Sequence, residues 1–177
     1  EKDIEIRVDA NCAFSFDNAL EKLKYLSDFS LHSIAQPIET RQWENMAYLC
    51  ENSPLDIALD EEIIGLQNGD KDKMVSAINT KNNILKPSLI GGIKQSEEWI
   101  SVAKKNKLQW WVTSALESNV GLNAISQWVF NKSLSMKQGL GTGQLFSNNI
   151  ICSLYIKKGC LYYNPDTSWD LAFLKRF

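Results

Sequence analysis

The sequence has little that would direct the chain to nucleic acid, to a membrane or to an oxidising compartment. Its 177 residues mix 19 basic with 21 acidic side chains, and without a basic stripe they predict no nucleic-acid partner. The longest apolar runs fall far short of the ~20 residues that cross a bilayer. The four cysteines have no CxxC or zinc-like spacing, which is typical of a reduced cytoplasmic protein. We therefore expect a cytoplasmic protein that binds neither nucleic acid nor membrane.

What the sequence does contain is a regular alternation of short apolar segments and helix-like stretches. Six positions follow such segments at intervals of 25 to 28 residues, the rhythm of strand–helix units with parallel strands and right-handed crossovers. In a (β/α) barrel the carboxyl ends of the strands converge on one mouth, where the chemistry is done. The sequence therefore predicts a common pocket for these positions. They are Asp9, Ala35, Asp60, Lys86, Ser114 and Gly139.

Each predicted strand is short and is followed by a predicted amphipathic helix. The helices are indicated by apolar spacings of three and four residues. Between the third strand and its helix, residues 61–70 are expected to form a loop, and the helix is expected around residues 73–78. Beyond the last glycine-rich segment, two further strands are expected to leave the barrel. The predicted strands cover residues 4–9, 31–35, 57–60, 84–86, 109–113, 150–156 and 160–163.

The length of the chain limits how much of a barrel it can form. A complete eight-unit barrel needs roughly 250 residues, whereas this chain has 177. We therefore expect an α/β fold in which residues 1–149 form the C-terminal part of a barrel, about strands three to eight. Residues 150–177 are expected to form a β-rich tail that packs on the barrel or on a capping domain. A missing N-terminal segment or another chain would complete the barrel, because its edge strands would otherwise be unpaired.

Two of the six positions are aspartates, Asp9 and Asp60. Carboxylates that face one mouth repel each other unless a cation lies between them. Oxygen ligands of this kind suit Mg²⁺, with Mn²⁺ as the alternative ion, and such an ion keeps positions open for substrate oxygens. In the other interpretation each aspartate caps the helix that follows it. The shared register favours a metal site that acts on a small anionic substrate.

Lys86 ends the fourth predicted strand, where it lies between Leu85 and Pro87. This position predicts a side chain that points into the mouth. Beside a divalent cation the ammonium form of lysine is disfavoured, which suits proton transfer. A protonated Lys86 would instead stabilise a negatively charged intermediate directly. The residues alone leave these two roles open, and an ordinary surface lysine is the third alternative.

Several motifs follow one another in an order and spacing shared with a known enzyme family. The most specific are LKPS at residues 85–88, TSALES at 113–118 and GLGTG at 139–143, supported by RVDAN at 7–11 and ALDEE at 58–62. Together they resemble o-succinylbenzoate synthases, of the muconate-lactonizing subgroup of the enolase superfamily. The resemblance implies an enolase-type barrel. It also implies Mg²⁺-assisted loss of water from 2-succinyl-6-hydroxy-2,4-cyclohexadiene-1-carboxylate, through an enolate, giving o-succinylbenzoate for menaquinone synthesis.

The resemblance also assigns roles to individual residues. Asp9 and Asp60 would be two of three Mg²⁺ ligands, and Asn11 and Glu61 would orient those ligands without touching the metal. Lys86 would lie on the face of the substrate opposite the working base and would stabilise the enolate. Sites of the enolase superfamily use a lysine base together with Mg²⁺, which stabilises an ene-diolate, and the resemblance implies the same scheme for this chain.

The substrate's succinyl end would be held by the last two of the six positions. The resemblance assigns this role to Ser114 and to the glycine-rich loop that contains Gly139 and Gly141. Backbone N–H groups in such a loop meet an anion without obstruction by side chains. The expected ligand is therefore a small-molecule carboxylate.

Two departures from the family pattern keep other functions open. Ala35 stands where the family carries the glutamate that is the middle metal ligand, so metal affinity is expected to be weaker. The family's Lys-x-Lys, which supplies the proton-removing lysine, would precede Glu1. One alternative is an N-succinylamino acid racemase or dipeptide epimerase built on the same ligands. The other is a catalytically inactive fragment.

Overall fold

The structure, a computed structural model, describes residues 4–132, 134–170 and 172. These residues form two compact units. The first contains the described residues up to Leu85 together with Lys94–Trp110, and the second contains Lys86–Ile93 and the described residues from Trp111 onward. No helix in the described ranges has both the length and the apolar character that a membrane-spanning helix requires.

Five short strands alternate with helices, as the sequence predicts. The strands form one sheet in the order of the chain, and the ladders that join the first four are parallel. At the start of the fifth strand, the Gln109 N–H donates to the Lys81 carbonyl at 2.9 Å. The strands are β1 (Arg7–Asp9), β2 (Ser33–Ala35), β3 (Ile57–Leu59), β4 (Asn82–Leu85) and β5 (Gln109–Val112). The helices are α1 (Phe16–Ser27), α2 (Trp43–Asn52), α3 (Asn68–Ile78), α4 (Gly92–Lys105) and α5 (Asn119–Phe130).

The central strands of the first unit are buried on both faces. Every residue of β2, β3 and β4 is buried, which is typical of parallel strands covered by crossover helices. Polar side chains for chemistry are therefore expected just beyond the strand ends. Of the predicted site residues of this unit, Asp9 is the last residue of β1, and Asn11, Asp60 and Glu61 lie just beyond β1 and β3.

Most element boundaries differ from the sequence predictions by one to four residues, and two of the differences have a clear cause. β1 begins at Arg7 rather than at residue 4, because its partner β2 begins at Ser33 and the first contact is the His32 N–H to the Ile6 carbonyl at 2.8 Å. The predicted loop 61–70 contains a short 3₁₀ helix, Glu61–Ile63, and the start of α3 at Asn68. Asp70 in the first turn of α3 favours this early start, since its charge complements the helix dipole.

A buried ammonium group joins α3 to α4 within the first unit. Lys71 is 1% exposed, and its Nζ donates to Gln95 Oε1 at 2.5 Å and to Glu98 Oε2 at 2.9 Å. The same nitrogen lies 5.4 Å from the centre of the Trp99 ring. A buried charge is tolerated when it is paired and hydrogen-bonded in this way. Lys71 therefore serves the packing of the helices rather than the predicted site.

The second unit continues from the end of β5 into α5, a glycine-rich segment and a hairpin. α5 buries Leu122, Ile125, Trp128 and Val129. The segment holds a short 3₁₀ helix, Thr142–Gln144, and the hairpin pairs β6 (Leu154–Lys157) with β7 (Cys160–Tyr163) in antiparallel fashion. Two further strands are thus present, although β6 is shorter than predicted. The division at residue 149 and the packing of the tail on a capping domain stay predictions.

Candidate active site

The register of the sheet places the two predicted metal ligands on one face. Asp9 pairs with Ala35 across β1 and β2, and Ala35 pairs with Ala58 across β2 and β3. Paired residues of parallel strands project to the same face, and Asp60 lies two residues beyond Ala58. From this alternation we infer that Asp9, the last residue of β1, and Asp60, the residue after β3, project to the same face. Neighbouring strands lie ~4.8 Å apart, so one strand spacing separates each of them from β2.

Ala35 occupies the position between the two aspartates. It is 4% exposed, and its methyl group supplies no oxygen. In the part of the chain that the structure describes, no three His, Cys, Asp or Glu residues are grouped so as to hold a metal ion. Of the three positions at which the family resemblance expects a metal ligand, two carry a carboxylate and the middle one does not.

Neither aspartate caps a helix through its side chain. The N-cap residue of α1 is Ser15, and Asp9 Oδ1 instead accepts a 2.8 Å hydrogen bond from the Asn11 N–H. Asp60 is the N-cap residue of the short 3₁₀ helix but makes no side-chain capping hydrogen bond there. The capping interpretation of the sequence is therefore not what the structure supports. The backbone N–H of Asn11 thus contacts the Asp9 carboxylate, and its role in orienting a metal ligand stays a prediction.

The carboxyl end of the first unit carries a concentrated negative charge. The pKa of the Cys12 thiol is raised to about 11, first by burial and then, in decreasing order, by the carboxylates of Glu61, Asp9, Glu39 and Glu62. Four carboxylates therefore act on one thiol within this unit. A thiol in such surroundings stays protonated and is a poor nucleophile. The same field favours a cation.

Lys86 belongs to the second unit, where it begins the turn that follows β4. Its carbonyl accepts hydrogen bonds from the Leu89 N–H at 2.8 Å and the Ile90 N–H at 3.1 Å. The residue is half-buried. The predicted residues thus divide into two groups: Asp9, Asn11, Asp60 and Glu61 lie in the first unit. Lys86, Ser114, Gly139 and Gly141 lie in the second.

The hydroxyl of Ser114 is fully engaged within the second unit. It donates to Glu117 Oε2 at 2.5 Å and accepts from the Leu116 N–H at 2.9 Å and the Thr142 hydroxyl at 2.6 Å. A serine hydroxyl has one donor and two acceptor positions, and all three are used. Ser114 therefore ties the loop after β5 to the glycine-rich segment. For Ser114 to bind substrate through its hydroxyl, a substrate atom would have to replace one of these three hydrogen-bond partners.

Glu117 is a residue of this site that sequence reasoning missed. Its Oε1 accepts from the Ser88 hydroxyl at 2.5 Å, and its Oε2 also accepts from the Ala115 N–H at 2.9 Å. Burial raises the pKa of Glu117, but the hydrogen bonds from Ser114, Ser88 and the backbone outweigh burial and hold the pKa below its usual value. The Ser-x-x-Glu spacing from Ser114, familiar from capping boxes, is the sequence signal from which this contact could have been predicted.

Gly139 is required by the close approach of two backbone segments. Its N–H donates to the Val112 carbonyl at 2.8 Å, and its carbonyl accepts from the Ser114 N–H at 2.9 Å. A Cβ at this position would lie 2.8 Å from Thr113 Cγ2 and 3.0 Å from Thr113 Cβ. At Gly141 a Cβ would meet only Ile156 Cδ1, at 3.8 Å. Gly139 therefore has a structural role beside its predicted contact with substrate.

A cavity of about 630 Å³ in the first unit lies away from these residues. Its lining includes Asp56, Thr80, Lys81 and Gln109, which lie at the amino ends of β3, β4 and β5. In (β/α) barrels this end serves stability, whereas the carboxyl ends carry the chemistry. The cavity is therefore not the candidate active site.

The fold agrees with one family of known proteins. The sequence profile of the family described as Enolase C-terminal domain-like matches residues 1–140. The chain belongs to this family. The predicted fold class, the C-terminal part of an enolase-type barrel, is thereby confirmed.

Individual relatives narrow the similarity further. The o-succinylbenzoate synthase of Desulfotalea psychrophila is 54% identical over 158 residues, which are 89% of this chain and 43% of that protein. The crystal structure of MenC from the same organism has a TM-score of 0.86 and covers 89% of this chain and 44% of that one. An L-Ala-D/L-amino acid epimerase of a Maribacter species is 29% identical over 121 residues, 68% of this chain and 35% of that protein. The predicted resemblance to o-succinylbenzoate synthases is confirmed, and the chain spans less than half the length of these relatives.

Replacing Gly139 by alanine is expected to destabilise the protein by about 1–3 kcal/mol, because the new methyl group overpacks against Thr113. Gly141→Ala is the matched control and is expected to change the free energy of unfolding by less than about 0.5 kcal/mol. Urea unfolding measures both variants. Equal effects of the two substitutions would contradict the close approach at Gly139.

Glu117 is expected to make the protein sensitive to acid. Because its folded pKa is lowered, the ionised carboxylate stabilises the fold above the unfolded pKa of ~4.3, and this stabilisation is lost as the pH falls through the folded value. Glu117→Gln should therefore be less stable than the wild type at pH 7, with a difference that shrinks toward pH 3. Urea unfolding across this range measures it, with the exposed Glu44→Gln as control. A difference that does not depend on pH would refute the assignment.

Proposed function

We propose that this chain carries the metal ligands and the enolate-stabilising lysine of an o-succinylbenzoate synthase. The 54% identity to the Desulfotalea psychrophila enzyme carries the proposal. The reaction is the loss of water from 2-succinyl-6-hydroxy-2,4-cyclohexadiene-1-carboxylate in menaquinone synthesis. The enzyme is then a cytoplasmic carbon–oxygen hydro-lyase. Because its proton-removing lysine is assigned to a strand before Glu1, activity is proposed for the chain together with that strand.

The carboxylates of the first unit fit a magnesium ion. Mg²⁺ is commonly held by one or two carboxylates and otherwise by water and substrate oxygens, and Asp9 and Asp60 supply two carboxylates on one face. A bound Mg²⁺, or Mn²⁺, would withdraw charge from a substrate carboxylate and so acidify the neighbouring C–H. With Ala35 between the ligands, affinity is lower than a third carboxylate would give.

The remaining residues are assigned to charge and orientation. A proton leaves the ring carbon beside the substrate carboxylate, and hydroxide leaves the neighbouring ring carbon, so that water is lost and the ring becomes aromatic. The Lys86 ammonium group would stabilise the negative charge of the enolate. Asn11 and Glu61 would orient Asp9 and Asp60. The loops tied together through Ser114, which include Gly139 and Gly141, would bind the succinyl carboxylate through backbone N–H groups.

A dipeptide epimerase or N-succinylamino acid racemase is the second candidate. The 29% identity to an L-Ala-D/L-amino acid epimerase favours it, because both reactions begin with loss of a proton beside a carboxylate. Assays of the same preparation with the cyclohexadiene carboxylate and with L-Ala-L-Glu separate the candidates. Turnover of the dipeptide alone would replace the synthase assignment.

Lys86→Ala is expected to abolish dehydration, by about 100- to 1,000-fold, because the enolate loses its stabilising cation. The assay uses a chimaera in which this chain replaces the matched segment of the Desulfotalea psychrophila enzyme. Lys81→Ala is the matched control: Lys81 is an exposed lysine that pairs with Asp56 at the amino end of β4. Product formation is followed by absorbance. Retained turnover in Lys86→Ala would remove Lys86 from the mechanism.

Ala35→Glu is expected to tighten Mg²⁺ binding by at least about tenfold, because it adds a charged ligand between Asp9 and Asp60. For comparison, residues that only hydrogen-bond to metal ligands typically change metal affinity by about 10- to 100-fold. Ala35→Gln, of the same size but neutral, should give a much smaller gain. Calorimetric titration of the chain with Mg²⁺ measures each affinity. If Glu and Gln act alike, the ion does not bind at this face.

A further inference from the structure

The side chain of Gln36, the residue after Ala35, is completely buried and makes four hydrogen bonds. Its Oε1 accepts from the backbone N–H groups of Asp60 and Glu62, each at 3.2 Å. Its Nε2 donates to the Ile38 carbonyl at 3.1 Å and to Glu62 Oε2 at 3.3 Å. These partners fix the orientation of the amide, because the opposite orientation would point its NH₂ at two N–H donors. One side chain thus holds the backbone on both sides of Glu61.

The backbone of Gln36 also forms hydrogen bonds, one to β3 and one to the loop that follows Asp9. Its N–H donates to the Ala58 carbonyl at 3.0 Å, and its carbonyl accepts from the Cys12 N–H at 2.8 Å. The residue has a φ of 32°, which a buried side chain adopts only when its surroundings hold it there. Gln36 therefore lies between the loop after Asp9 and the backbone of Asp60.

Glu62 is the partner that completes this arrangement. It is fully buried, and its Oε1 accepts from the Arg41 N–H at 2.8 Å and from Trp43 Nε1–H at 2.9 Å, while Oε2 accepts from Gln36. The Arg41 side chain donates in turn to the carbonyls of Glu62, at 3.3 Å, and Ile64, at 2.8 Å. The carboxylate of Glu62 is committed to these donors, so it holds the loop after β2 against the loop after β3.

We propose that Gln36 and Glu62 are a positioning pair for Asp60. They fix the backbone on which the Asp60 carboxylate is carried and thereby set the metal affinity of the site. Neither residue contacts metal or substrate. The inference rests on the proposed function, since it assigns a purpose to the geometry of a proposed ligand.

The pair can be exchanged without a change in size, which permits a test by rescue. Gln36→Glu places two carboxylates against each other, and Glu62→Gln places two amide NH₂ groups against each other. In the double variant Gln36→Glu/Glu62→Gln a donor again faces an acceptor between the two side chains, but the carboxylate oxygen introduced at position 36 also faces the Ile38 carbonyl, to which the Gln36 amide donates in the wild type. Thr80→Val is the matched control, because the buried Thr80 hydroxyl bonds the Ile57 carbonyl at 3.1 Å near the amino end of β3. Mn²⁺ is the probe, and its affinity for the complete chain is measured by electron paramagnetic resonance.

Each single exchange is expected to weaken Mn²⁺ binding by about 10- to 100-fold. The double variant is expected to bind Mn²⁺ more tightly than either single variant but less tightly than the wild type, because its hydrogen bond to the Ile38 carbonyl is lost. Hydrogen exchange at the Asp60 and Glu62 amides should accelerate in the singles and slow again in the double. Thr80→Val should change neither the Mn²⁺ affinity nor the hydrogen-exchange rates of the Asp60 and Glu62 amides. Singles that bind Mn²⁺ as the wild type does would overturn the positioning role alone, as would an absence of rescue. A wild-type chain that binds no Mn²⁺ would overturn the proposed metal site and this inference with it.

Discussion

The candidate site depends on hydrogen bonds at the carboxyl end of β2. There the carbonyl groups of Ala35 and Gln36 accept N–H donors from Ala10 and Cys12, and the Gln36 side chain accepts the N–H of Asp60. These hydrogen bonds at the end of β2 thus fix the backbone positions of the segments that follow β1 and β3. Because Asp9 and Asp60 lie on those neighbouring segments, their carboxylates share a face only while this part of the sheet stays in register.

Both units use a carboxylate to hold two loops together. In the first unit, Glu62 accepts hydrogen bonds from the loop after β2. In the second, Glu117 accepts them from Ser88 and Ser114, and Ser114 in turn binds Thr142. An ionised oxygen makes stronger hydrogen bonds than a neutral one and accepts several donors at once. Loops that lack regular secondary structure can be ordered in this way, and ordered loops are what a small anionic substrate would require.

Sequence periodicity was sufficient to predict the strand–helix order and the positions at the strand ends. It succeeded because buried parallel strands and amphipathic helices have different apolar spacings, which are local properties of the chain. The start of β1 was placed three residues early, because pairing at a sheet edge depends on where the neighbouring strand begins. Local spacing does not contain that information.

Most hydrogen-bond partners of the site residues could not be predicted from the sequence. Gln36 and Glu62 are 26 positions apart and meet only because β2 and β3 are adjacent. Glu62 is the last of three consecutive acidic residues, and nothing in their sequence indicates that its side chain is completely buried. The contact of the Ser114 hydroxyl with Thr142 is likewise absent from any local pattern. Such hydrogen bonds depend on tertiary contacts, so they can be identified only from the three-dimensional structure.

The central claim is that Asp9 and Asp60 hold one cation at the carboxyl ends of β1 and β3. Paramagnetic relaxation by substoichiometric Mn²⁺, read from the backbone amides of the chain by NMR, tests it most directly. If the cation lies between these aspartates, the strongest broadening is expected at the amides of residues 9–12, 35–36 and 60–62. Broadening centred on other carboxylates, such as Asp166 and Asp170, or none at all, would contradict it.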